Sequence, residues 1–330
     1  MNQQSGRPDQ ILDTQGDYQL SANYGSAEYD ALQRRAGLVD LTQERLLSLR
    51  GRDVFSFLQG MLTQSMQPFP VGEAKPSLLL DASGKVQAKL NLYHLEDNHL
   101  VMECPFELRD TIQKNLSRFV IMEDVTIRPL TDYYFFSLQG KEAPLHREAL
   151  AKIYPHWHFI DHNRCGFGGT DVLCGREEAG DAVTALIDMG LAPIGFNALN
   201  RARIEALIAW FGIDMLAGQN PLVCGVSGIA FNKGCYIGQE TVAKTNDRGR
   251  PPQVLCLVTG DPDGKVGTLP RPLTLEDKPA GSLTSLMNNP ERGVSVGLAL
   301  VKTNYATPGA TLNDATGTFF HVTKTVTHKV

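Results

Sequence analysis

The sequence predicts an α+β fold built on antiparallel sheets, followed by a separate C-terminal β-barrel, and three observations predict it. Ahead of residue 248, strand-like and helix-like runs alternate with short hairpins between them. Val86, Ala88, Leu90 and Leu92 alternate with Gln87, Lys89 and Asn91, the period of two that marks a half-buried strand. After Arg248 the composition changes to short β-like runs broken by Pro, Gly, Asp and Asn, as in a small barrel or sandwich. At 330 residues the chain is too long for one small core and implies two or three domains.

Taken in order, residues 1–17 are polar and irregular and read as a loose tail. Residues 24–36 carry a helical pattern ending at Gly37, a C-cap candidate. RLLSLRG (45–51) reads as a strand, and Asp53 is placed to cap a short helix carrying Val54, Phe57 and Leu58. SLLLD (77–81), the turn ASGK and VQAKLNLYHL form the clearest hairpin, with NHLVMEC (98–104) as its next partner. Pro105 suits a first helical turn, and Leu108, Ile112, Leu116 and Phe119 follow at helical spacing. DYYFFSLQG (132–140) reads as a strand, and Pro144 opens a helix with Leu145, Ala149 and Ile153. HFIDHNR and GTDVLCG read as another hairpin, and Asp181 caps a helix with Val183, Leu186 and Ile187 that Gly190 stops. NALNRARIEALIAWFG (197–212) predicts one long helix, apolar on most faces and so buried, which obliges Arg201, Arg203 and Glu205 to find partners. In the last segment, RGVSVGLALVK (292–302) and GTFFHVTKTV (317–326) are the clearest strands.

Composition narrows the function classes. Hydrophobic residues make up 42% and charged residues 20%, ordinary for a globular protein. The formal net charge of −5 excludes a whole-protein basic field, so no direct nucleic-acid binding is expected. The N-terminus lacks the apolar core of a signal peptide, and no run approaches the roughly 20 apolar residues of a membrane helix, so a cytoplasmic protein is expected. The six cysteines form no CxxC pair and have no zinc-like histidine spacing beside them, so the default for each is a small buried thiol. HWH (156–158) would put two imidazoles on one face of a strand, too few for a firm metal site, and no metal is expected. GFGG (166–169) lacks the spacing and following helix of a dinucleotide loop. The absence of an exposed heptad pattern favours a monomer.

One stretch stands apart. KGCYIGQE (233–240) sets Cys235 and Tyr236 between Gly234 and Gly238, with Lys233 two residues from the thiol. The glycines permit positive φ and close backbone approach to a ligand, and a meeting of Lys233 with Cys235 would favour thiolate. A tight turn around a buried thiol is the alternative, and spacing alone leaves both open. Glu205 likewise has two readings: an ion pair with Arg201 four residues earlier, cation first and so in the weaker order, or a carboxylate aimed into a cavity. In the second it would accept two parallel hydrogen bonds from an amidine-like N–H pair, the edge a pterin ring offers. Trp210 and Tyr236 are candidates either for a flat apolar slot or for plain core.

KGCYIGQE resembles the signature of the YgfZ-type folate-binding proteins, relatives of the glycine-cleavage T-protein, a tetrahydrofolate-dependent aminomethyltransferase. AGLVDLTQERLLSLRGRDVFSFLQGMLTQ (36–64), RIEA (203–206), GSLTS (281–285) and GLALVK (297–302) are similar to further parts of that family, so the resemblance covers nearly the whole chain. It implies a multi-domain T-protein-like ring of antiparallel-sheet α+β domains with a C-terminal β-barrel around a central folate opening. The implied divisions are 18–130 joined with 195–247 as a discontinuous folate-binding domain, 131–194 as a middle α+β domain, and 248–330 as the barrel. It implies Cys235 as the functional thiol with Lys233 as its electrostatic partner. Glu205 would take the pterin edge, braced by Arg203; Gly234 and Gly238 would shape the loop, Tyr236, Gln239 and Glu240 would hold it against the folate site, and Arg248 would meet the glutamate tail. The implied cofactor is tetrahydrofolate or a one-carbon-substituted folate. The implied role is folate binding in maturation or repair of iron–sulfur proteins, with iron–sulfur enzymes as clients, and through them tRNA modification.

The chain also departs from the T-protein. Gln87 and Ala88 fall where that enzyme keeps an Asp pair, and neither can act as a carboxylate base, which disfavours the alternative of an aminomethyl or one-carbon transferase. Leu207 stands where a glycine usually follows the RxEA motif, and Lys244 where many relatives have arginine. A permanent cluster held by this chain alone is not expected, since clusters usually take about four protein thiolates.

Overall fold

The period-two run is a strand, and it lies in the middle of the first half of the chain. The structure, a computed structural model, describes residues 12–13, 20–21, 26–41, 46–249, 251–262, 268–289 and 291–326. The expected loose tail at 1–17 lies outside the described residues, except that β1 (Leu12–Asp13) pairs antiparallel with β2 (Leu20–Ser21). The chain forms two compact units. One holds the chain up to Leu58, then Met66–Lys75 and Leu90–Ala202; the other holds Gln59–Ser65, Pro76–Lys89 and the chain from Arg203 onward. Among the described residues, no helix is long and apolar enough to cross a membrane.

Across the first unit, together with residues 59–65 and 76–89 of the second, the elements follow the predicted alternation. Helix α1 (Ser26–Arg34) leads into β3 (Gly37–Leu41), β4 (Leu46–Arg50) and α2 (Val54–Met61). Gly37 is not a left-handed cap but the first residue of β3, kept small because a Cβ there would lie 2.1 Å from Ile194 Cγ1. Strands β5 (Ala74–Leu80), β6 (Val86–Glu96) and β7 (His99–Glu103) form the predicted meander, and Asn98 turns between the last two at φ +57°. Next come α3 (Arg109–Ser117), β8 (Thr126–Pro129) and β9 (Tyr133–Gln139). Ile112 and Leu116 of α3 are buried as the spacing requires, whereas Phe119 lies past the helix end and is 51% exposed. The unit closes with α4 (Ala143–Ile153), β10 (His158–Asp161), β11 (Gly169–Gly175), α5 (Ala179–Asp188), β12 (Ala192–Pro193) and the start of α6 (Phe196–Glu205). Helix α4 buries Ala143 and Leu150 and exposes Leu145 and Ile153, so its inward face is rotated from the predicted one.

Two five-stranded sheets result, ordered β5-β6-β7-β4-β8 and β10-β11-β9-β3-β12. The pairs are antiparallel as expected, except that β12 runs parallel to β3 over two residues. A buried ionic pin links them: Arg164 donates to Asp171 Oδ2 at 2.6 Å and Glu103 Oε2 at 2.9 Å, while Tyr93 Oη bonds both carboxylates. His162 Nδ1 reaches Asp171 Oδ2 at 2.6 Å. Removing one member would strand a buried charge, which makes the set costly to break.

In the second unit, α7 (Gln239–Asp247) precedes β13 (Gln253–Gly260), β14 (Arg271–Leu275), β15 (Lys278–Asn289), β16 (Val294–Lys302), β17 (Thr311–Asp314) and β18 (Phe319–Thr325). These six strands close into a barrel in the order β13-β16-β15-β14-β17-β18. Its interior takes Val254, Cys256, Val258, Leu283, Ala299, Val301 and Phe320. The alternate side chains Leu255, Leu257, Leu298 and Leu300 are buried too, because they pack outward on Ile204, Ala209 and Val223. The barrel wall therefore carries the segment that follows α6.

That segment holds the largest departure from the sequence reading. The helix expected over 197–212 ends at Glu205. Leu207 N donates to Ile204 O at 3.0 Å and Ile208 N to Arg203 O at 2.8 Å, the bond pair of a Schellman ending. Leu207 occupies the left-handed position at φ +60°, where glycine is the usual residue. The apolar period continued through this turn, and no glycine marked the stop.

Candidate functional site

The 233–240 loop is held by glycines at one end and a lysine at the other. Gly238 has φ +81° and stands at the N-terminus of α7. A Cβ on it would lie 2.6 Å from Asp81 O and 2.8 Å from Gly84 Cα; one on Gly84 would lie 2.4 Å from Thr241 Cβ. The β5–β6 turn and the start of α7 thus interlock through two glycines that have to be glycines. Asp81 shapes that turn by accepting from Lys85 N at 2.9 Å and Ser83 Oγ at 2.7 Å, bonds that hold its carboxyl below the ordinary range. Gly234 differs: its α-carbon faces open space.

Lys233 Nζ donates to Leu62 O at 2.6 Å and Gln64 O at 2.9 Å and lies 4.9 Å from the Tyr236 ring centroid. Burial lowers this amine to about 8. It ties down the 62–64 segment, which Thr63 fixes further by donating from Oγ1 to Gly228 O at 2.6 Å. Tyr236 is core, packed with Leu78, Leu80, Met215 and Val242, and burial pushes its phenol up to about 12. Cys235 is exposed, and among the described residues its thiol makes no hydrogen bond. The buried-thiol reading is thereby overturned for Cys235, while Cys104, Cys165, Cys174 and Cys256 are the buried thiols expected by default. Gln239 N bonds Tyr236 O at 3.2 Å, Glu240 pairs with Lys244 at 3.2 Å on the solvent side of α7, and Arg248 is exposed at its end.

Glu205 is the last residue of α6 and half buried, with Oε1 accepting from Asn289 Nδ2 at 2.9 Å. Beneath it Arg203 is almost wholly buried and pairs with Asp214 through Nη1, while Nη2 donates to Ser285 Oγ at 2.7 Å. Its guanidinium stacks 4.4 Å from the Trp210 ring centroid. Asp214, fully buried, also accepts from Trp210 N at 3.0 Å, Thr284 Oγ1 at 2.6 Å and Ser285 Oγ at 2.7 Å. Arg203 is thus paired with Asp214 and Ser285 and packs on the Trp210 ring. Cys224 packs against the cluster around Tyr236 and against the one around Ile204, so the octapeptide loop and the end of α6 share one support.

Sequence reasoning missed Asp214, Ser285 and Asn289. Asp214 carried a readable signal, a lone acid in the apolar run AWFGIDML, whose burial demands a cationic partner. Asn289 carried none, since its partner lies 84 residues away. Gln87 is exposed and bonds Asp81 Oδ2 at 3.4 Å, and Ala88 is buried. Next to them, Lys89 Nζ donates to Ala209 O at 2.8 Å. The histidines of HWH diverge, His156 to Glu178 at 2.8 Å and His158 to the Tyr133 ring. Among the described residues, Glu103, His162 and Asp171 alone have the spacing of a metal ligand set, and Arg164 already supplies the cation between those carboxylates.

A family model described as the GCVT N-terminal domain matches residues 7–177. The aminomethyltransferase of Listeria welshimeri is 25% identical over 311 residues, covering 87% of this chain and 84% of that protein. The aminomethyltransferase of Lysinibacillus sphaericus is 26% identical over 330 residues, covering 89% and 86%. The crystal structure of glycine cleavage system aminomethyltransferase T from Bartonella henselae matches with a TM-score of 0.80 at 16% identity, over 93% of this chain and 91% of that one. That likeness shows the fold: antiparallel α+β sheets and a closed six-stranded C-terminal barrel, as the sequence predicted.

Proposed function

The chain belongs to the family described as the GCVT N-terminal domain, and on that premise we propose that it is a tetrahydrofolate-binding protein of the YgfZ type, which serves iron–sulfur protein maturation or repair through Cys235. The observation that carries the folate reading is Glu205, a half-buried carboxylate at a helix end, oriented by Asn289 and underpinned by the Arg203–Asp214 pair. An acceptor pair of this kind fits the adjacent N–H groups of a 2-amino-4-oxo pterin ring. Bound tetrahydrofolate supplies a one-carbon carrier. The residues of this chain supply the rest: Glu205 orients the ring, Arg203 and Asp214 keep the carboxylate's helix end in register, and the loop clamped by Lys233 and Gly238 presents the thiol.

The YgfZ specificity is supported by the octapeptide itself and by the exposure of Cys235, which leaves that sulfur accessible to a client or a sulfur species. Iron–sulfur clients, a link to tRNA modification, the three-part division at 18–130 with 195–247, 131–194 and 248–330, a monomeric state and a cytoplasmic location belong to this proposal. A second reading, a folate-dependent aminomethyltransferase, is favoured by the names of the relatives at 25% and 26% identity. It is disfavoured by Gln87 and Ala88, which offer no carboxylate.

Calorimetric titration with tetrahydrofolate tests the first claim: binding is expected, with a loss of at least about tenfold in Glu205→Gln. Absence of binding to the intact protein would end it. Cys235→Ala is expected to keep folate affinity yet fail to support iron–sulfur enzyme activity in cells. Formation of methylene-tetrahydrofolate from an aminomethyl donor would establish the second reading instead.

A further inference from the structure

The end of β15 reaches two charged residues of α6. Ser285 bonds Arg203 and Asp214, and Asn289, four residues on and so on the same side of the strand, bonds Glu205. We propose that Asn289 is a positioning residue that sets the orientation of the Glu205 carboxylate, and with it the selectivity of the site for ligands bearing two adjacent N–H donors, the 2-amino-4-oxo edge of a reduced pterin. This inference rests on the folate reading above and names what enforces it.

Asn289 is 1% exposed. Its Oδ1 accepts from Arg292 N at 3.1 Å, the same N–H that bonds Asn289 O at 3.2 Å and closes the turn after β15. With Oδ1 facing a donor, the amide has one consistent orientation, and Nδ2 is the group presented to Glu205. A glutamate at a helix terminus has a broad, two-fold terminal torsion, so its carboxylate plane is not fixed by its own backbone. Bidentate pairing requires that plane to match the ligand's. The 2.9 Å bond from a buried amide on another element supplies a constraint.

The chemistry makes the role specific. A donor at Nδ2 is satisfied only by an acceptor at Oε1, so the pair favours a carboxylate that accepts and disfavours one that donates. Ligands offering a donor pair are selected, and those offering an acceptor at the same edge are rejected because buried acceptors would face each other.

The test compares wild type, Asn289→Asp and Glu205→Gln, each as the full chain, by calorimetric titration with tetrahydrofolate and with its analogue lacking the 2-amino group. Asn289→Asp retains the acceptor for Arg292 N, and it replaces the donor facing Glu205 with a second acceptor that also carries charge. The expected result is a loss of at least about tenfold in tetrahydrofolate affinity, with the preference over the analogue collapsing toward unity. The ratio of the two affinities is independent of how much protein folds, since misfolded molecules lower the stoichiometry alone. Wild-type affinity and selectivity in Asn289→Asp, beside loss of binding in Glu205→Gln, would overturn the inference and leave the folate reading standing. Equal binding by Glu205→Gln and wild type would bring down both.

Discussion

Leu207 is a leucine in the place of a helix-terminating glycine, and replacing it separates two effects that usually oppose each other. The residue has φ +60° and completes the paired bonds Leu207 N to Ile204 O and Ile208 N to Arg203 O. An L-residue with a Cβ in this conformation costs about 1–2 kcal/mol more than glycine. Its side chain is half buried against the cluster of Ile204, Val223, Leu255 and Leu298. Truncation to either alanine or glycine removes that contact, about 1 kcal/mol for a half-buried leucine. Alanine keeps the strain; glycine releases it, at a chain-entropy cost of about 0.5–1 kcal/mol. Leu207→Ala is therefore expected to be about 1 kcal/mol less stable than wild type, and Leu207→Gly close to wild type. The two should differ by roughly 0.5–1 kcal/mol in favour of glycine, the reverse of the helix-interior order, where alanine leads glycine by about 1 kcal/mol. Urea unfolding followed by tryptophan fluorescence measures the pair, with Trp210 three residues away in the turn. If the alanine variant equals or exceeds the glycine variant in stability, the left-handed ending is wrong and the helix runs on.

Three further outcomes follow from the same geometry. Gly238→Ala is expected to destabilise by roughly 2 kcal/mol or more, because its Cβ meets Asp81 O and Gly84 Cα in a positive-φ turn, whereas Gly234→Ala should stay within about 0.5 kcal/mol; thermal melts compare them. His99 is fully buried in β7, where burial and Arg50 lower it to about 4. The unfolded chain binds this proton near pH 6.5 and the folded one near 4, so stability is unaffected above that window and falls by about 3 kcal/mol as pH drops through it; denaturant midpoints at pH 7 and 4.5 should show a shallower slope in His99→Gln. Lys233, lowered to about 8 by burial, loses its proton in the folded state while the unfolded chain keeps it to about 10.5. Stability should therefore rise with pH between those values, by less than the full shift implies for a half-buried amine, and Lys233→Met should lose both that rise and about 1–3 kcal/mol at neutral pH.

Local pattern carried the sheets, and distant partners carried what it could not. The meander β5–β7 and strands β16 and β18 were legible because alternation reports a face directly. The barrel was legible from punctuation by Pro, Gly, Asp and Asn. The end of α6 was not, because Ile208, Ala209 and Trp210 are apolar for a different reason from Ile204: they follow a reversed turn yet are buried or half buried like it. Apolar spacing cannot distinguish a helix that continues from a chain that turns and stays inside. Phe119 and the outward Leu145 show the same limit from the other side, as apolar residues at helical spacing that the fold leaves exposed.

In KGCYIGQE a thiol stands between a lysine and two glycines. The geometry divides those parts. Lys233 spends two donors on the carbonyls of Leu62 and Gln64, and Tyr236 fills core. Gly238 allows a contact of main chain on main chain, whereas Gly234 borders open space. In this stretch the lysine and the second glycine fasten the loop from two sides, and Cys235 is exposed and makes no hydrogen bond among the described residues. The same logic holds at the end of α6, where Arg203 and Asp214 pair in the interior and Glu205, one residue past the last buried turn, is held from outside its helix by Asn289. Rigid support from neighbouring elements is what the proposed binding carboxylate and the proposed reactive sulfur both require. A mutation in the supports should therefore act on ligand affinity through geometry, and one in Cys235 should leave affinity and fold intact while abolishing whatever the thiol does.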